Sequence, residues 1–357
     1  MNNITSFLKE LTRTSGISGY ESPVAEVIKK KWTSLVDEIQ ESNVGSLHGL
    51  KHGLKPNNQS VLIATHMDAI GLMVTSIEKE FLFFTSVGGV DPRVLPGQPV
   101  HVHGSGNQEN NITPIPGRII QPSSFQLPPD IGSGVVPIDR LMIDTGLSPK
   151  EVQNSIRVGD LVSFAQEPLS LSGEAIAAHT LDNRASVAAL TICMEELQTK
   201  KHDWDVWSVA SVQEETGLIG AYTSTFQIRP SLAVVVDTTW AKGPGSDDWN
   251  TFALGEGPTL LFGPNIHPKL HKFIKDLAEK LEIPVKVEIT GRHSGTDAFA
   301  TQIVAEGVPT MAICIPIRYM HTPVEVAAVK DIERTGRLLA EFIMELDDDF
   351  MKTISLE

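Results

Sequence analysis

Imidazole and carboxylate side chains recur along this chain in one placement, each beside a short apolar run. His66 and Asp68 follow Val61-Leu62-Ile63-Ala64, and Asp182 stands just before a helical stretch. Glu214 and Glu215 follow the run 204–213, Asp237 closes Val234-Val235-Val236, and His321 comes after 310–318. Mixed His and carboxylate ligands without cysteine suit Zn²⁺, Co²⁺ or Mn²⁺. Two His and three acids are enough for two ions, each holding one His and one terminal acid, with one carboxylate shared. Two ions about 3.5–4 Å apart can activate a water and polarise a carbonyl together. A further acid is then needed as general base, to take the water's proton and deliver it to a leaving amine. The pair Glu214-Glu215 offers one ligand and one base. Taken singly, each side chain reads as a cap or a charged turn; the ordered conjunction points to metal-assisted hydrolysis.

The elements that position these groups follow from pattern. Val61–Ala64 is apolar without alternation, as in a strand covered on both faces. The stretches 204–213, 231–239 and 310–318 read as further buried strands. Residues 4–12, 22–36, 183–198, 268–281, 297–306 and 325–346 read as helices. This alternation predicts an α/β fold, a mostly parallel mixed sheet with helices on both faces. In such sheets functional groups gather at the carboxyl ends of the strands. From about 75 to 163 the texture changes to short β-rich pieces broken by Gly, Asn and a run of prolines from Pro92 to Pro137. That predicts a small all-β domain, residues 72–163, interrupting a catalytic domain built from 1–71 and 164–357. The loop GSGNQENN (104–111) is expected to be an exposed tip.

Composition excludes several classes. The 357 residues carry 29 Lys+Arg against 44 Asp+Glu, a net charge of −15, which argues against nucleic acid or an anionic membrane as partner. Hydrophobic residues at 41% rule out a disordered chain. No stretch approaches the roughly 18 unbroken apolar residues of a membrane span. The polar start MNNITSFLKELTRTSG does not read as a secretory signal. Cys193 and Cys314 sit in apolar runs and read as buried free thiols, so no disulfide framework is expected and a cytoplasmic location fits.

The ordered set His66-x-Asp68, Asp182, Glu214-Glu215, Asp237 and His321 resembles that of the dinuclear metallo-aminopeptidases. More narrowly, it resembles the family of glutamyl aminopeptidase and the tetrahedral (TET) aminopeptidases, some members of which carry the older label cellulase M or endoglucanase. The resemblance runs nearly end to end. It includes SGISGYE (15–21), THMDAIGLMV (65–74), GGVDPRVLPGQ (88–98), RVGDLVSF (157–164), LDNRAS (181–186), QEETGLIGA (213–221), GTDAFATQ (295–302) and GVPTMAICIPIRYMHTPVEV (307–326).

The resemblance implies a zinc-peptidase-like fold and two divalent ions per chain, Zn²⁺ or Co²⁺ foremost and Mn²⁺ as an alternative. It implies His66 and Asp237 as terminal ligands of one ion, Glu215 and His321 of the other, and Asp182 as the bridge. Asp68 would orient the His66 imidazole, and Glu214 would be the general base. It also implies short peptides with a free N-terminus as substrates, and a homo-oligomer, at least a dimer, in which the 72–163 segment makes contacts that can build a tetrahedral dodecamer. A related deacylase or carboxypeptidase shares such a core. A glycosidase would need paired carboxylates and no metal.

Departures from the usual pattern are Asn183 after the bridging acid, Arg292-His293 where glycines are often found, and Leu127-Pro128-Pro129-Asp130 in place of a Pro-Pro-His element. Among other histidines, His101 and His103 read as a solvated β face, and His267 and His271 as a helix start with a wet face. His179 is a candidate neighbour of Asp182, and Asp297 reads as a helix cap or a structural group near the site.

Overall fold

The structure is a computed structural model that describes residues 2–55, 59–106, 114–123, 125, 127, 131, 134–246 and 248–356. Residues 107–111 of the expected loop tip, and Pro128, Pro129 and Asp130, lie outside the described residues. The main sheet runs in the order Glu38–Glu41, Leu47–Lys51, Asp205–Ser211, Ser60–His66, Leu232–Trp240, Thr310–Arg318, Glu325–Ala328, Ala175–Ala178, Leu169–Leu171. Thr259–Phe262 and Lys286–Ile289 branch from it beside Thr310–Arg318. The four strands from Asp205–Ser211 to Thr310–Arg318 are parallel, and the flanking pairs are antiparallel.

Nearly every residue of the three inner strands is buried, which requires cover on both faces and explains the unbroken apolar runs. Helices Asn2–Arg13, Leu181–Glu196 and Val329–Met344 form one packed group on the sheet, and Ile219–Ile228 with Asp297–Gln302 a second. Six strands, Gly71–Glu78, Phe81–Val87, Pro99–His103, Ile115–Ile120, Met142–Asp144 and Leu161–Phe164, close into a separate small barrel. The barrel has its own core of Leu72, Val74, Leu82, Val102, Ile119 and Ile143, and closure leaves it no open edge. Cys193 and Cys314 are free and buried. Among the described residues, no helix is long and apolar enough to cross a membrane.

Several expected boundaries shift. The helix expected over 22–36 ends at Trp32, and Leu35 and Val36 turn the chain into the edge strand Glu38–Glu41. The helix expected over 325–346 is two elements. Glu325–Ala328 is a strand because it pairs on both sides, with Ile317–Arg318 and with Ala175–Ala178, and the helix starts only at Val329. Helix-favouring residues in EVAAVKDIE hide that tertiary pairing. Asp237 does not end its strand, which runs on to Trp240.

Candidate active site

Parallel packing places the ends of the inner strands side by side. Ser211 is in register with His66, while the ladder between Ser60–His66 and Leu232–Trp240 stops at Ala64 opposite Val235. Beyond that point the two chains part, and His66 and Asp237 face one another across the opening. His66 Nε2 lies 3.6 Å from Asp237 Oδ1, 3.9 Å from Glu214 Oε2 and 3.3 Å from Asp182 Oδ1. The other Asp182 oxygen, Oδ2, lies 3.4 Å from His321 Nε2, which is 3.7 Å from Glu215 Oε2. Asp182 thus stands between two imidazoles with one oxygen toward each. Donor atoms of His66, Glu214 and Asp237 lie within 4.8 Å of one another, as do those of Asp182, Glu215 and His321.

The loops carrying these groups are bent sharply. Thr180, Gln213 and His321 have φ of 69°, 55° and 62°, in the left-handed region that costs a side chain of order 1–3 kcal/mol. Buried carboxylates hold the bends by accepting from backbone N–H groups. Asp68 accepts from Glu214 N at 3.0 Å and Glu215 N at 3.2 Å. Glu325 accepts from Asp182 N and His321 N, both at 3.0 Å. Glu21 accepts from Gly19 N at 2.6 Å and Gln213 N at 3.1 Å. His66 Nδ1 meets both the Asp68 carbonyl, at 3.3 Å, and its carboxylate, at 3.4 Å. Asn183 donates to the carbonyl of Val236 at 2.8 Å, fixing the chain just before Asp237. Buried Arg184 donates to the carbonyls of Leu11, Thr14 and Met67. Sequence reasoning assigned no role to Glu21, Asn183, Arg184 or Glu325. The signal was present, since all four stand inside SGISGYE, LDNRAS and MHTPVE.

Charge accumulates here. Burial, and then neighbouring carboxylates, push Glu215 up to about 8 and Glu214 and Glu325 well above the usual range; burial also raises Asp237. Burial disfavours the His66 imidazolium, but Glu214, Asp182, Asp237 and Asp68 together hold it well above 6.5. Asp182 next to His321 raises that imidazole to about 9, while the two imidazoles, acting against burial, hold Asp182 itself below its usual range. Two imidazoles do not balance these acids, so the donor set suits divalent cations in both chemistry and charge.

The side chains open into a cavity of about 630 Å³. The barrel contributes part of its wall. A Cβ on Gly89 would stand 2.9 Å from His321 Nδ1, and one on Gly88, where φ is 78°, would stand 2.8 Å from Ile70 and 3.4 Å from the Glu215 side chain, so glycine is favoured at both positions. His293 lines the cavity and Arg292 does not. Asp297 is not the helix cap; Thr296 caps Asp297–Gln302, and buried Asp297 accepts from Ser211 Oγ at 2.5 Å.

The remaining histidines stand apart. His179 is buried against the Phe164 ring, outside the cavity. His267 caps its helix, and His271 is buried against Phe262 rather than wet, because its helix face packs on Thr259–Phe262. His101 is exposed, and half-buried His103 pairs with Ser163 Oγ at 2.8 Å.

Comparison with known proteins agrees with the fold. A family model described as M42 glutamyl aminopeptidase matches residues 45–338. A lysyl aminopeptidase of Pyrococcus furiosus is 34% identical over 343 residues, 95% of this chain and 96% of the relative. A solved aminopeptidase of the archaeon Desulfurococcus kamchatkensis superposes with a TM-score of 0.90 at 34% identity, covering 99% of this chain and 98% of that one. The TET1 peptidase of Pyrococcus horikoshii, described as assembling into a tetrahedron or a large octahedral shell, superposes at 0.82 with 29% identity, over 96% and 100% of the two chains. The chain belongs to the M42 glutamyl aminopeptidase family, and is a metal-dependent hydrolase of peptide bonds.

Proposed function

We propose that this chain is a dinuclear aminopeptidase that releases N-terminal residues from short peptides. The observation that carries the reading is Asp182, with one carboxylate oxygen 3.3 Å from His66 and the other 3.4 Å from His321. His66, Asp237 and Asp182 would hold one divalent ion, and His321, Glu215 and Asp182 a second, Zn²⁺ or Co²⁺ foremost and Mn²⁺ as an alternative. Such ions supply Lewis acidity for the scissile carbonyl and make water nucleophilic near neutral pH. Glu214 takes the proton from the attacking water and passes it to the leaving amine. Asp68 sets the chain at Glu214 and Glu215 and flanks the Nδ1 side of His66. The surplus carboxylates of the cavity also attract the free ammonium of a peptide N-terminus, which favours removal of terminal residues over cleavage within a chain.

Residues 72–163 are assigned to assembly and access as well as to the Gly88–Gly89 wall. The assemblies described for the TET1 relative support a homo-oligomer, a dimer or a tetrahedral dodecamer built from dimers. The test is metal analysis and hydrolysis of aminoacyl-nitroanilides after chelation and after adding back Zn²⁺, Co²⁺ or Mn²⁺ separately, with light scattering on the loaded protein. Up to two ions per chain, activity that follows them, and a mass of at least two chains are expected. Full activity in the metal-free protein, or a strictly monomeric one, would contradict the corresponding half of the reading.

A further inference from the structure

We propose that Glu288 selects a cationic side chain, lysine or arginine, on the N-terminal residue of the peptide. The inference rests on the aminopeptidase reading and names the substrate class of that site. Glu288 lies on Lys286–Ile289, in register with Leu261 of the neighbouring strand Thr259–Phe262. Its carboxylate lines the same cavity as His66, Asp182 and Asp237. Two hydroxyls fix it there. Thr239 Oγ1 donates to Oε1 at 2.9 Å, and Thr259 Oγ1 donates to Oε2 at 2.7 Å. Thr239 is two residues beyond Asp237 on one strand, which sets Glu288 beside the proposed metal ligands without making it one.

Three features turn this carboxylate into a specificity element. It is half-buried, and among the described residues no Lys, Arg or His is ion-paired with it. Among the described residues its side-chain donors are two neutral hydroxyls, each using one lone pair, so acceptor capacity remains on both oxygens. A carboxylate partly removed from water and lacking a cation is costly, and a ligand cation in the cavity relieves that cost. Leu261, opposite Glu288 on the neighbouring strand, and Trp240 and Phe299 elsewhere in the cavity lining are apolar. They match the methylene stem of Lys or Arg, with the charged head reaching the carboxylate. An acidic side chain entering the same space would meet Glu288 and Asp237 and be repelled.

The experiment uses the metal-loaded full chain and nitroanilides of Lys, Arg, Leu and Glu, comparing wild type with Glu288→Gln and Glu288→Lys. Wild type should prefer Lys and Arg over Glu by more than about tenfold in kcat/KM, the least that one charge-assisted hydrogen bond contributes. Glu288→Gln should reduce the Lys-to-Leu ratio about tenfold, chiefly through KM, with metal content retained. Glu288→Lys should favour the Glu substrate. An unchanged Lys-to-Leu ratio would overturn the proposal. So would an equal fall for all four substrates, which would mean that Glu288 holds the α-amine common to them. If loaded wild type cleaves none of the four, the aminopeptidase reading itself fails, an outcome distinct from cleavage without preference.

Discussion

Replacing Asp68 by Asn keeps the volume of a side chain that is fully buried and removes its charge. The carboxylate accepts two backbone N–H bonds, from Glu214 at 3.0 Å and Glu215 at 3.2 Å. An amide has one oxygen, so at most one bond survives unaided, and its NH₂ group faces the other N–H. A bond to a charged acceptor contributes roughly 1.5–3 kcal/mol and a neutral one roughly 0.5–1.5. Exchanging two charged bonds for one neutral bond therefore costs about 3 kcal/mol. At 1.4 kcal/mol per tenfold change, that is about 100-fold in metal affinity, at the upper end of the roughly 10–100-fold range for groups that support metal ligands. The backbone carbonyl of residue 68, 3.3 Å from His66 Nδ1, remains and should keep the ring oriented. Affinity is read by competition against a chelator, with circular dichroism confirming the fold. Binding within about threefold of wild type would refute the reasoning that this carboxylate holds the Glu214–Glu215 turn. A loss beyond about a thousandfold would mean that Asp68 is itself a ligand.

Glu214→Gln should lower kcat by about 10²–10⁴-fold with metal content unchanged, whereas Glu215→Gln should lose metal; the reverse outcome in metal analysis and kinetics would exchange the two roles. Gly89→Ala places a Cβ 2.9 Å from His321 Nδ1 and should weaken metal binding about tenfold with the barrel intact by circular dichroism; unaltered affinity would show that the wall yields. The chelated protein should melt at lower temperature at pH 9 than at pH 6. Folded values raised to about 8 for Glu215, about 7 for Glu21 and Asp297 and about 9 for His321 give stability that is present at low pH and lost as pH rises through them. Burial lowers His48 to about 4 and His179 to about 3, so these two instead remove stability as pH falls below 6.5. Added metal should abolish the alkaline loss, and equal melting of the chelated protein at both pH values would contradict the argument.

The parallel strands were legible because each is an apolar run with no polar face, and because the polar groups beginning where the runs end mark the carboxyl edge. The edge strands Glu38–Glu41, Leu169–Leu171 and Lys286–Ile289 were not, since short, exposed strands carry little periodicity and depend on their neighbours. The closed form of the barrel was hidden for a related reason, as closure is a matter of long-range register. Within the site, residue types identified the candidate ligands, but the bracing groups look like ordinary acids in sequence. Glu325 reads as the first residue of a helix; only the pairing of Glu325–Ala328 with two strands turns its side chain toward Asp182 and His321. Likewise nothing local indicates that Gly89, in the barrel segment, must pass close to His321.

These braces bear on how the metal would act on the protein. Each bend that bears a candidate ligand is held by a carboxylate bonded to backbone N–H groups: Glu21 and Asp68 at 213–215, Glu325 at 182 and 321. Backbone bonds of this kind do not depend on a bound ion, so the donor atoms are positioned by the fold, as a site with low reorganisation cost requires. The same arrangement concentrates acids that only two imidazoles offset. Before ions enter, protons on Glu214, Glu215 and the two imidazoles relieve the repulsion; when ions enter, the protons on the groups that bind them must leave. Metal binding is therefore coupled to proton release far more than to a change of shape. In the proposed mechanism cations beside Glu214 would oppose the burial that pushes its carboxyl up, and so set it to accept the proton of an attacking water near neutral pH.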